Sequence, residues 1–373
     1  MYFINIFRGY FLSFNDIEEK DFPYFRRMGV VLMGNVQIGL LGAGRMGAFH
    51  GESIAFRVKG ADLYAVADPV PGNAEAFAKA IGSNIKAFTD PLDMLEHPDI
   101  DAVIIASPAR THAANIIAAA KKGKAVFCEK PMAVTLEEAD EVIRIVNEES
   151  IPLQIGFNRR FAKGFRSAYE EIRAGKIGTP QLMRSITRDP ALGDPTPIPQ
   201  WTIFLETLIH DFDTLLYLNP NAKPIEVYAA ADALVRPDFK DKGFLDTAVV
   251  TIKFDNGAIA TAEANFQAVY GYDVRGEVFG SEGMLTIGDI RHTNMTRYNK
   301  DGVSYNTIRY DQDLLFDAYV DELQSFVDAV RNHKPTLVTG EDARAALAIA
   351  AACIESCKTK QPVTLKNGVP QTV

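Results

Sequence analysis

The chain has 373 residues, a length that predicts about two or three folding domains. Apolar residues make up 47% of it and charged residues 23%, which excludes wholesale disorder, a collagen-like repeat and a coiled-coil rod. The net charge of -9, from 39 basic and 48 acidic residues, argues against a general nucleic-acid binder, and no apolar stretch reaches the roughly 20 residues that cross a bilayer.

Residues 1–33 are predicted to be separate from the rest of the chain. The first 32 residues hold nine aromatic side chains, a density nearly three times the 10% of the whole sequence. Arg8 interrupts the apolar run, and no small-residue cleavage site follows, so the segment does not fit a signal peptide. We expect either an accessory arm or a natural start at Met28 or Met33. The second is favoured, because Met33 directly precedes the first clear strand.

Residues 34–157 alternate short apolar runs with helical patterns. Strands are predicted at 37–41, 62–68, 102–107, 125–128 and 152–157, and helices at 46–58, 111–122 and 135–149. Thr135-x-x-Glu138 predicts a capping box at the start of the last helix. Strands that alternate with helices predict right-handed βαβ crossovers and an α/β Rossmann domain with a parallel sheet.

Residues 158–373 follow a different pattern. A helix is predicted at 161–174, strands at 181–188, 225–235, 247–254, 258–266, 274–279 and 284–287, and two final helices at 320–331 and 341–358. Asn256-Gly257 predicts a tight hairpin, and residues 300–302 predict another turn. The pattern indicates an α+β domain for substrate binding and oligomerisation, with an open, mostly antiparallel sheet. The last helix is rich in alanine, so its small side chains would let it pack closely against either domain.

A glycine-rich sequence, Gly42-Ala43-Gly44-Arg45-Met46-Gly47, connects the first strand to the first helix. In such a turn the first glycine permits the bend, the second lets backbone amides approach a pyrophosphate, and the third lets helix and strand pack closely. Asp68 ends the next strand, where a carboxylate accepts bonds from the adenosine ribose and repels a 2'-phosphate. These residues predict an NAD site and disfavour NADP. The alternative is a glycine turn with a surface Asp.

Two further segments carry chemistry. Glu129-Lys130-Pro131 follows a parallel strand at the edge where open α/β sheets bind ligands, so Lys130 is either a ligand for a substrate oxygen or a solvated loop lysine. In a helix predicted over residues 204–213, Glu206 and His210 share a face, and a carboxylate there can orient an imidazole that acts as general base. One alternative is that His210 is an ordinary hydrogen-bonded histidine without a catalytic role. The other is a metal site formed by Glu206, His210 and Asp213; we predict no metal.

Together these segments resemble the Gfo/Idh/MocA family of NAD(P)-dependent sugar and polyol oxidoreductases. The resemblance runs from Val36 to about Lys360. It is carried by the segments above, by Ala106-Ser107-Pro108 with Thr111-His112, and by Gly156-Phe157-Asn158-Arg159-Arg160-Phe161. Within the family, Ile209-His210-Asp211-Phe212-Asp213 and Tyr270-Gly271-Tyr272-Asp273 most resemble inositol 2-dehydrogenases.

The resemblance implies roles for individual residues. Lys130 matches the catalytic lysine, His210 the acid/base residue, and Glu206 a position that is commonly Asp. The implied cofactor-binding residues are Gly42, Gly44, Arg45, Met46, Gly47, Asp68, Ser107, His112, Glu129 and Lys130. The implied substrate-binding residues are Lys130, Arg159, Arg160, Asp189, Glu206, His210 and Tyr272.

Two departures from the family pattern concern the substrate. Glu206 is one methylene longer than Asp, a difference in reach of about 1.5 Å. A frequent Gly-Gly is replaced by Gln200-Trp201-Thr202-Ile203, in which Trp201 either packs against the helix or reshapes the pocket. Both departures affect which polyol is bound and leave hydride transfer unaffected.

The sequence therefore predicts a cytoplasmic, NAD-dependent dehydrogenase that oxidises a secondary hydroxyl of a cyclic polyol or sugar. Three cysteines without a Cys-x-x-Cys pair suit a reducing compartment. A redox-assisted NAD-dependent glycosidase and a non-catalytic NAD-binding sensor are the alternatives. We expect a homo-oligomer, a dimer or tetramer, because a second copy would cover the open sheet.

Overall fold

The computed structural model describes residues 4–6, 10–12, 34–82 and 84–371. The chain divides into two compact units, residues 1–35 and residues 36–373. In the first unit, strands β1 (Ile4–Ile6) and β2 (Tyr10–Leu12) pair antiparallel. The rest of the predicted arm lies outside the described residues, so both interpretations of it stay predictions.

The second unit begins with a sheet of six parallel strands. Its strands are β3 (Val36–Leu41), β4 (Ala61–Ala67), β5 (Lys86–Phe88), β6 (Ala102–Ile105), β7 (Ala125–Cys128) and β8 (Leu153–Ile155). They lie in the order β5-β4-β3-β6-β7-β8. Every residue of β6 and β7 is apolar and buried, as strands covered on both faces require. The predicted parallel sheet is confirmed.

Five helices connect these strands. They are α1 (Arg45–Phe56), α2 (Asn73–Ile81), α3 (Pro91–Leu95), α4 (His112–Lys121) and α5 (Leu136–Glu149). The elements α2, β5 and α3 were not predicted from the sequence, because segments of nine, three and five residues carry too little periodicity. Thr135 caps α5 as predicted, but the Glu138 side chain accepts from the amide of Val134 rather than of Thr135.

A mixed sheet of eight strands forms the C-terminal half, in the order β14-β13-β9-β12-β11-β10-β17-β18. Its strands are β9 (Pro180–Arg188), β10 (Pro224–Asp232), β11 (Thr247–Phe254), β12 (Ile259–Asn265), β13 (Asp273–Gly280), β14 (Met284–Ile287), β17 (Val363–Lys366) and β18 (Val369–Gln371). Among these eight strands only β9 and β12 pair in parallel. Buried and exposed residues alternate along β11, so one face is open, which confirms the predicted sheet.

The remaining elements are a hairpin and five helices. The hairpin, β15 (Arg291–Asn299) and β16 (Gly302–Thr307), surrounds the turn predicted at 300–302. The helices are α6 (Lys163–Arg173), α7 (Ile209–Tyr217), α8 (Asp311–Leu314), α9 (Phe316–Asn332) and α10 (Gly340–Thr359). α9 returns to the parallel sheet, where Leu323, Phe326 and Val327 join its core. α10 packs against α5, α7 and β10, and therefore touches both halves.

No helix in the described part of the chain combines the length and the hydrophobicity that a bilayer crossing requires.

Candidate active site

The glycine-rich turn between β3 and α1 has the geometry of a dinucleotide site. Gly42 has a φ of +97°, and a Cβ there would lie 2.8 Å from the carbonyl oxygen of Ala106. A Cβ at Gly47 would lie 1.9 Å from the carbonyl oxygen of Gly42. A Cβ at Gly44 would meet no protein atom within 4 Å, which leaves the helix N-terminus open to a ligand. The turn therefore fits a bound pyrophosphate.

Asp68 secures this turn through its side-chain carboxylate. One carboxylate oxygen accepts from the amide of Ala43 at 2.8 Å, and the other from the amide of Val70 at 2.9 Å and the side chain of Asn73 at 3.2 Å. The side chain is thus held by three bonds at the end of β4. Its contact with a ribose stays a prediction, because both oxygens already accept protein donors.

Ser107 lies on the loop after β6, and His112 is the first residue of α4. The ring nitrogens of His112 lie 2.7 Å from the carbonyl oxygens of Pro131 and Ser107. The imidazole thus ties the loop after β6 to the loop that carries Lys130. Ser107 and His112, both predicted cofactor residues, are therefore joined by a bond between the Ser107 carbonyl and the His112 ring.

Substitution at the glycine turn gives a first prediction. Gly47→Ala should lower the free energy of unfolding by about 1–3 kcal/mol and abolish NAD binding, because its Cβ overlaps backbone rather than a movable side chain. Gly44→Ala should keep the wild-type melting temperature and still weaken NAD binding. Thermal unfolding with and without NAD measures both. A Gly47→Ala protein with wild-type stability and NAD stabilisation would contradict this account of the turn.

A cavity of about 270 Å³ opens beside the glycine turn. It brings together Lys130, Glu206 and His210, which are distant in sequence, and it is mostly polar in residue type. Its lining residues are Arg45, Met46, Glu129, Lys130, Asn158, Arg159, Thr187, Asp189, Thr202, Glu206, Thr207, His210, Tyr272, Val274, Asp311, Leu315 and Tyr319.

Lys130 lies just past the end of β7, at the carboxyl edge of the parallel sheet. Its Nζ donates to the backbone carbonyl of Glu206 at 2.9 Å, and its amide donates to a Glu129 carboxylate oxygen at 3.2 Å. The first bond joins the N-terminal half to the segment that carries His210. It holds the ammonium group at the cavity wall, with two of its three protons left for other acceptors.

His210 is the second residue of α7 and has no hydrogen-bond partner on Nδ1 within the described chain. The edge of its ring meets Phe157, with the ring centroids 6.0 Å apart. Burial lowers the pKa of the imidazole well below 6.5, and the charges of Lys130 and Arg159 lower it further. His210 is therefore neutral at neutral pH, the form that accepts a proton.

The expected contact between the Glu206 carboxylate and His210 is not found among the described residues. Residues Ile203–Thr207 form a π-helical turn, in which the amide of Leu208 donates to the carbonyl of Ile203 at 2.8 Å, and α7 begins only at Ile209. The predicted continuous helix over 204–213 is therefore wrong. The wider turn breaks the i,i+4 geometry, so Glu206 reaches the cavity without orienting the imidazole.

Arg159 and Arg160 point to different parts of the molecule. Arg159 lines the cavity and is 3% exposed, with its guanidinium bonded to Asp211 at 2.8 Å and Thr187 at 2.5 Å. Arg160 instead pairs with Asp213 at 2.6 Å and lines a separate cavity of about 490 Å³. The larger cavity contains neither Lys130 nor His210, so we place the chemistry in the smaller one. Asp213 is consequently not a partner of His210 in a metal set.

Asp189 and Tyr272 lie together in the cavity wall. Burial raises the pKa of Asp189 to about 6, although a hydrogen bond with Tyr272 opposes the shift. One Asp189 oxygen has no partner in the described part of the chain. That oxygen is enclosed by the surrounding groups.

Sequence reasoning missed several residues of the cavity wall, among them Thr202, Asp311 and Tyr319. Asp311 begins α8 and pairs with Arg45 of the glycine turn at 3.0 Å. No local pattern marks these residues, since only the tertiary fold brings them to the site. Trp201, by contrast, stacks on Phe204 outside the cavity wall, with a φ of 65° and 6.4 Å between ring centroids. Of its two interpretations, packing against the helix is the observed one.

Comparison with known proteins agrees with this geometry. The model for "Oxidoreductase family, NAD-binding Rossmann fold" (Gfo/Idh/MocA) matches residues 36–157, and that for "Oxidoreductase family, C-terminal alpha/beta domain" matches residues 169–365. The chain is 38% identical to scyllo-inositol 2-dehydrogenase (NAD(+)) of Bacillus subtilis, over 88% of this chain and 96% of that one. It is 35% identical to myo-inositol 2-dehydrogenase of Thermotoga maritima, over 89% and 99%.

A solved structure of a relative includes ligands. Scyllo-inositol dehydrogenase from Lactobacillus casei, with bound cofactor NAD(H) and scyllo-inositol, superposes with a TM-score of 0.85. It is 30% identical, and the match covers 88% of this chain and 99% of that chain. The fold likeness therefore extends across both halves of the site.

Proposed function

The chain belongs to the Gfo/Idh/MocA oxidoreductase family, and on this premise we propose that it oxidises one secondary hydroxyl of an inositol-type polyol with NAD. The observation that carries the proposal is the meeting of Lys130 and His210 in one cavity whose wall includes Arg45 and Met46 of the glycine turn. A hydroxyl in that cavity lies beside both a proton acceptor and the cofactor site.

The chain's residues fit NAD at the glycine turn. Gly44 leaves room for the pyrophosphate, and the carboxylate of Asp68 at the end of β4 disfavours a 2'-phosphate. When bound, NAD supplies the acceptor for the hydride, and that chemistry belongs to the cofactor. The protein's part is to orient the polyol and to move one proton.

His210 takes the hydroxyl proton in this proposal. Its imidazole is neutral and lines the cavity, so it can accept a proton without first losing one. Lys130 donates from Nζ to the same oxygen as negative charge develops there, and its bond to the Glu206 carbonyl fixes the direction of donation. Asp189 and Tyr272 contact other hydroxyls and hold the ring in one orientation, while Arg159 holds the wall around them.

The size of the cavity supports a single-ring substrate. Its volume of about 270 Å³ lies just below the usual range of ligand pockets, which runs from roughly 300 to 1,000 Å³. A glycoside would need room for a second group. The cavity therefore favours oxidation of a free polyol over redox-assisted glycoside cleavage.

A substrate panel tests the function. Inositol isomers, aldoses and glycosides are offered with NAD and with NADP, and NADH absorbance is followed. We expect turnover with at least one inositol and NAD, and much slower turnover with NADP. Sugar release without net NADH would instead identify a glycosidase. Tight NAD binding without turnover across the panel would identify a sensor.

The activity should depend on pH through Asp189. Because burial raises the pKa of this carboxyl to about 6, protonation below that pH removes the charged acceptor for a substrate hydroxyl. We expect kcat/KM to fall on the acid side with a midpoint near pH 6, and Asp189→Asn to lower kcat/KM and remove that limb. A limb that persists at the same pH in Asp189→Asn would assign it to another group.

A second copy of the chain is the partner we propose for the open sheet face. Met284, Phe279, Leu182 and Ile259 are neighbours on four adjacent strands, and each is between 44% and 52% exposed. Such a row on an open face is typical of a subunit interface.

Charge placed in this row should dissociate the oligomer. Phe279→Arg should lower the mass measured by sedimentation to that of a monomer, since burying a guanidinium without a partner is costly. Leu337→Arg, at a 60% exposed residue outside this sheet, is the matched control and should keep the wild-type mass. An oligomer that survives Phe279→Arg would place the interface elsewhere.

Two further assignments belong to this proposal. A cytoplasmic location follows from the need for an intracellular NAD supply and from cysteines that form no disulfide in the described chain. The boundary between cofactor and substrate domains is placed at residues 157 and 158, just after β8, where the parallel sheet ends.

A further inference from the structure

A buried cluster of three titratable side chains lies behind Lys130. His50 comes from α1, Glu129 follows β7, and Glu322 comes from α9. Their ligand atoms all lie within 4.8 Å of one another, and none of the three residues is more than 7% exposed. The mechanism above gives none of them a proton to carry.

Glu129 is the member that touches the active site. One of its oxygens lies 2.7 Å from Nε2 of His50, and the other accepts from the amide of Lys130 at 3.2 Å. Its own amide donates to the carbonyl of Ile105 at 2.9 Å. The carboxylate is therefore fixed on both sides, and the turn that aims Lys130 depends on it.

Glu322 is the unpartnered member. Neither carboxylate oxygen has a hydrogen-bond partner among the described residues, and the side chain is fully buried. Burial raises its pKa well above 4.5, and the charge of Glu129 raises it further. For Glu129 burial also opposes ionisation, but His50, Lys130 and His112 together lower its pKa.

No cationic side chain in the described part of the chain is hydrogen-bonded to Glu322. The ring of Phe127 from β7 and the ring of Tyr319 from α9 meet His50 edge-on, with centroids 5.6 and 6.0 Å away. The groups that face it are His50 from α1, Glu129 and Lys130 after β7, His112 from α4 and Tyr319 from α9. Two carboxylates this close in a dry interior cannot both be ionised, because the repulsion is barely screened.

We propose that His50, Glu129 and Glu322 form a proton-holding cluster, in which Glu322 keeps a proton so that Glu129 alone is charged, and that the cluster positions Lys130. His50 and Glu322 are positioning residues in this scheme, since they act through Glu129. An ionised Glu322 would repel the Glu129 carboxylate from its place beside the lysine turn. The claim that the cluster positions Lys130 rests on the proposed function. The claim that Glu322 keeps a proton does not.

The proton is tested by the pH dependence of stability. The folded state holds a proton on Glu322 that the unfolded chain releases above its usual pKa of 4.5, so rising pH disfavours folding of the wild type. Glu322→Gln keeps the shape and removes the ionisation. Its melting temperature should match the wild type near pH 4 and exceed it increasingly from pH 5 to pH 8.

Asp321→Asn is the matched control, because it neutralises the exposed neighbour on the same helix. Its difference from the wild type should not vary with pH. If the difference in melting temperature between Glu322→Gln and the wild type is independent of pH, or falls as pH rises, the proposal that Glu322 holds a proton is wrong. A rise in wild-type melting temperature with Mn²⁺ or Zn²⁺ that Glu322→Gln lacks also overturns it, since the cluster would then hold a metal ion.

The positioning role is tested by turnover. His50→Leu removes the bond to Glu129 and should lower kcat by roughly tenfold to a hundredfold, with little change in NAD affinity and a new acid limb in the kcat profile. His50→Gln, which keeps a donor, should restore most of kcat, and Glu322→Gln should keep kcat within about twofold. Wild-type kcat and pH profile in His50→Leu overturn the role. Absence of turnover with any polyol in the wild type refutes the proposed function instead, and leaves the stability titration valid.

Discussion

Replacing Lys130 with methionine is expected to lower kcat/KM for the polyol by about 10²–10³ while NAD affinity changes little. The ammonium group stands at the cavity wall, held there by the backbone carbonyl of Glu206 at 2.9 Å. It is the donor placed to meet negative charge as it develops on the substrate oxygen. Methionine keeps the length and the apolar stem but removes the donor and the charge.

Steady-state kinetics and an NAD titration measure this prediction. Lys124→Met is the matched control, because Lys124 is also buried and donates to backbone carbonyls at 2.7 and 3.0 Å, but lies outside the cavity. It should lower the melting temperature and keep wild-type kcat. If Lys130→Met turned over at the wild-type rate, the lysine would have only a structural role.

Replacing His210 with asparagine is expected to lower kcat by about 10²–10⁴, the usual contribution of a positioned general base. Burial and the charges of Lys130 and Arg159 keep the imidazole neutral, so the base is present at every pH above 6.5. The loss should therefore be the same at pH 7 and pH 9. Asparagine can still donate and accept hydrogen bonds, but it cannot take up the proton.

His333→Asn provides the control for His210. His333 is exposed at the end of α9 with a φ of 50°, a conformation that asparagine tolerates, so this variant should keep both stability and turnover. NADH formation measured across pH distinguishes the two variants. A His210→Asn enzyme that loses less than about tenfold would shift the role of base to another titratable acceptor of the cavity wall, such as Asp189 or Glu206.

Glu206 illustrates how a correct motif gave an incorrect contact. The spacing of Glu206 and His210 predicts one helical face, and both residues do reach the same cavity. The π-helical turn at Ile203–Thr207 separates their side chains and turns the Glu206 carbonyl toward Lys130. A π-turn depends on how the segment packs against α7 and α10, which local periodicity does not encode.

The sequence could not separate Arg160 from Arg159 for a related reason. Two consecutive arginines fit the family motif equally well, and residues i and i+1 on a tight turn point in different directions. The fold buries Arg159 against Asp211 beside the cavity and turns Arg160 to Asp213 and Asp342 on the other side. The direction of each arginine side chain is therefore set by the carboxylates that it pairs with, which come from α7 and from the start of α10.

The sequence by itself determined the elements whose signal is local. The glycine turn is one, because Gly42 and Gly47 are required by backbone contacts within a few residues and one strand away. The parallel sheet is another, since continuous apolar runs between helices have no other stable arrangement. Lys130 and His210 were also predicted from the sequence, and the structure brings both to one cavity.

Only the tertiary structure decided which side chains share an environment. Glu322 and Asp311 reach the site from segments about 190 and 180 residues beyond Lys130, and their neutral or paired state depends on charges contributed by other elements. The physical reason is that hydrogen bonds and backbone conformation act over a few residues, whereas burial and electrostatics act over distance in space. The glycine turn could therefore be predicted from the sequence. The arrangement of protons and charges behind Lys130 could not.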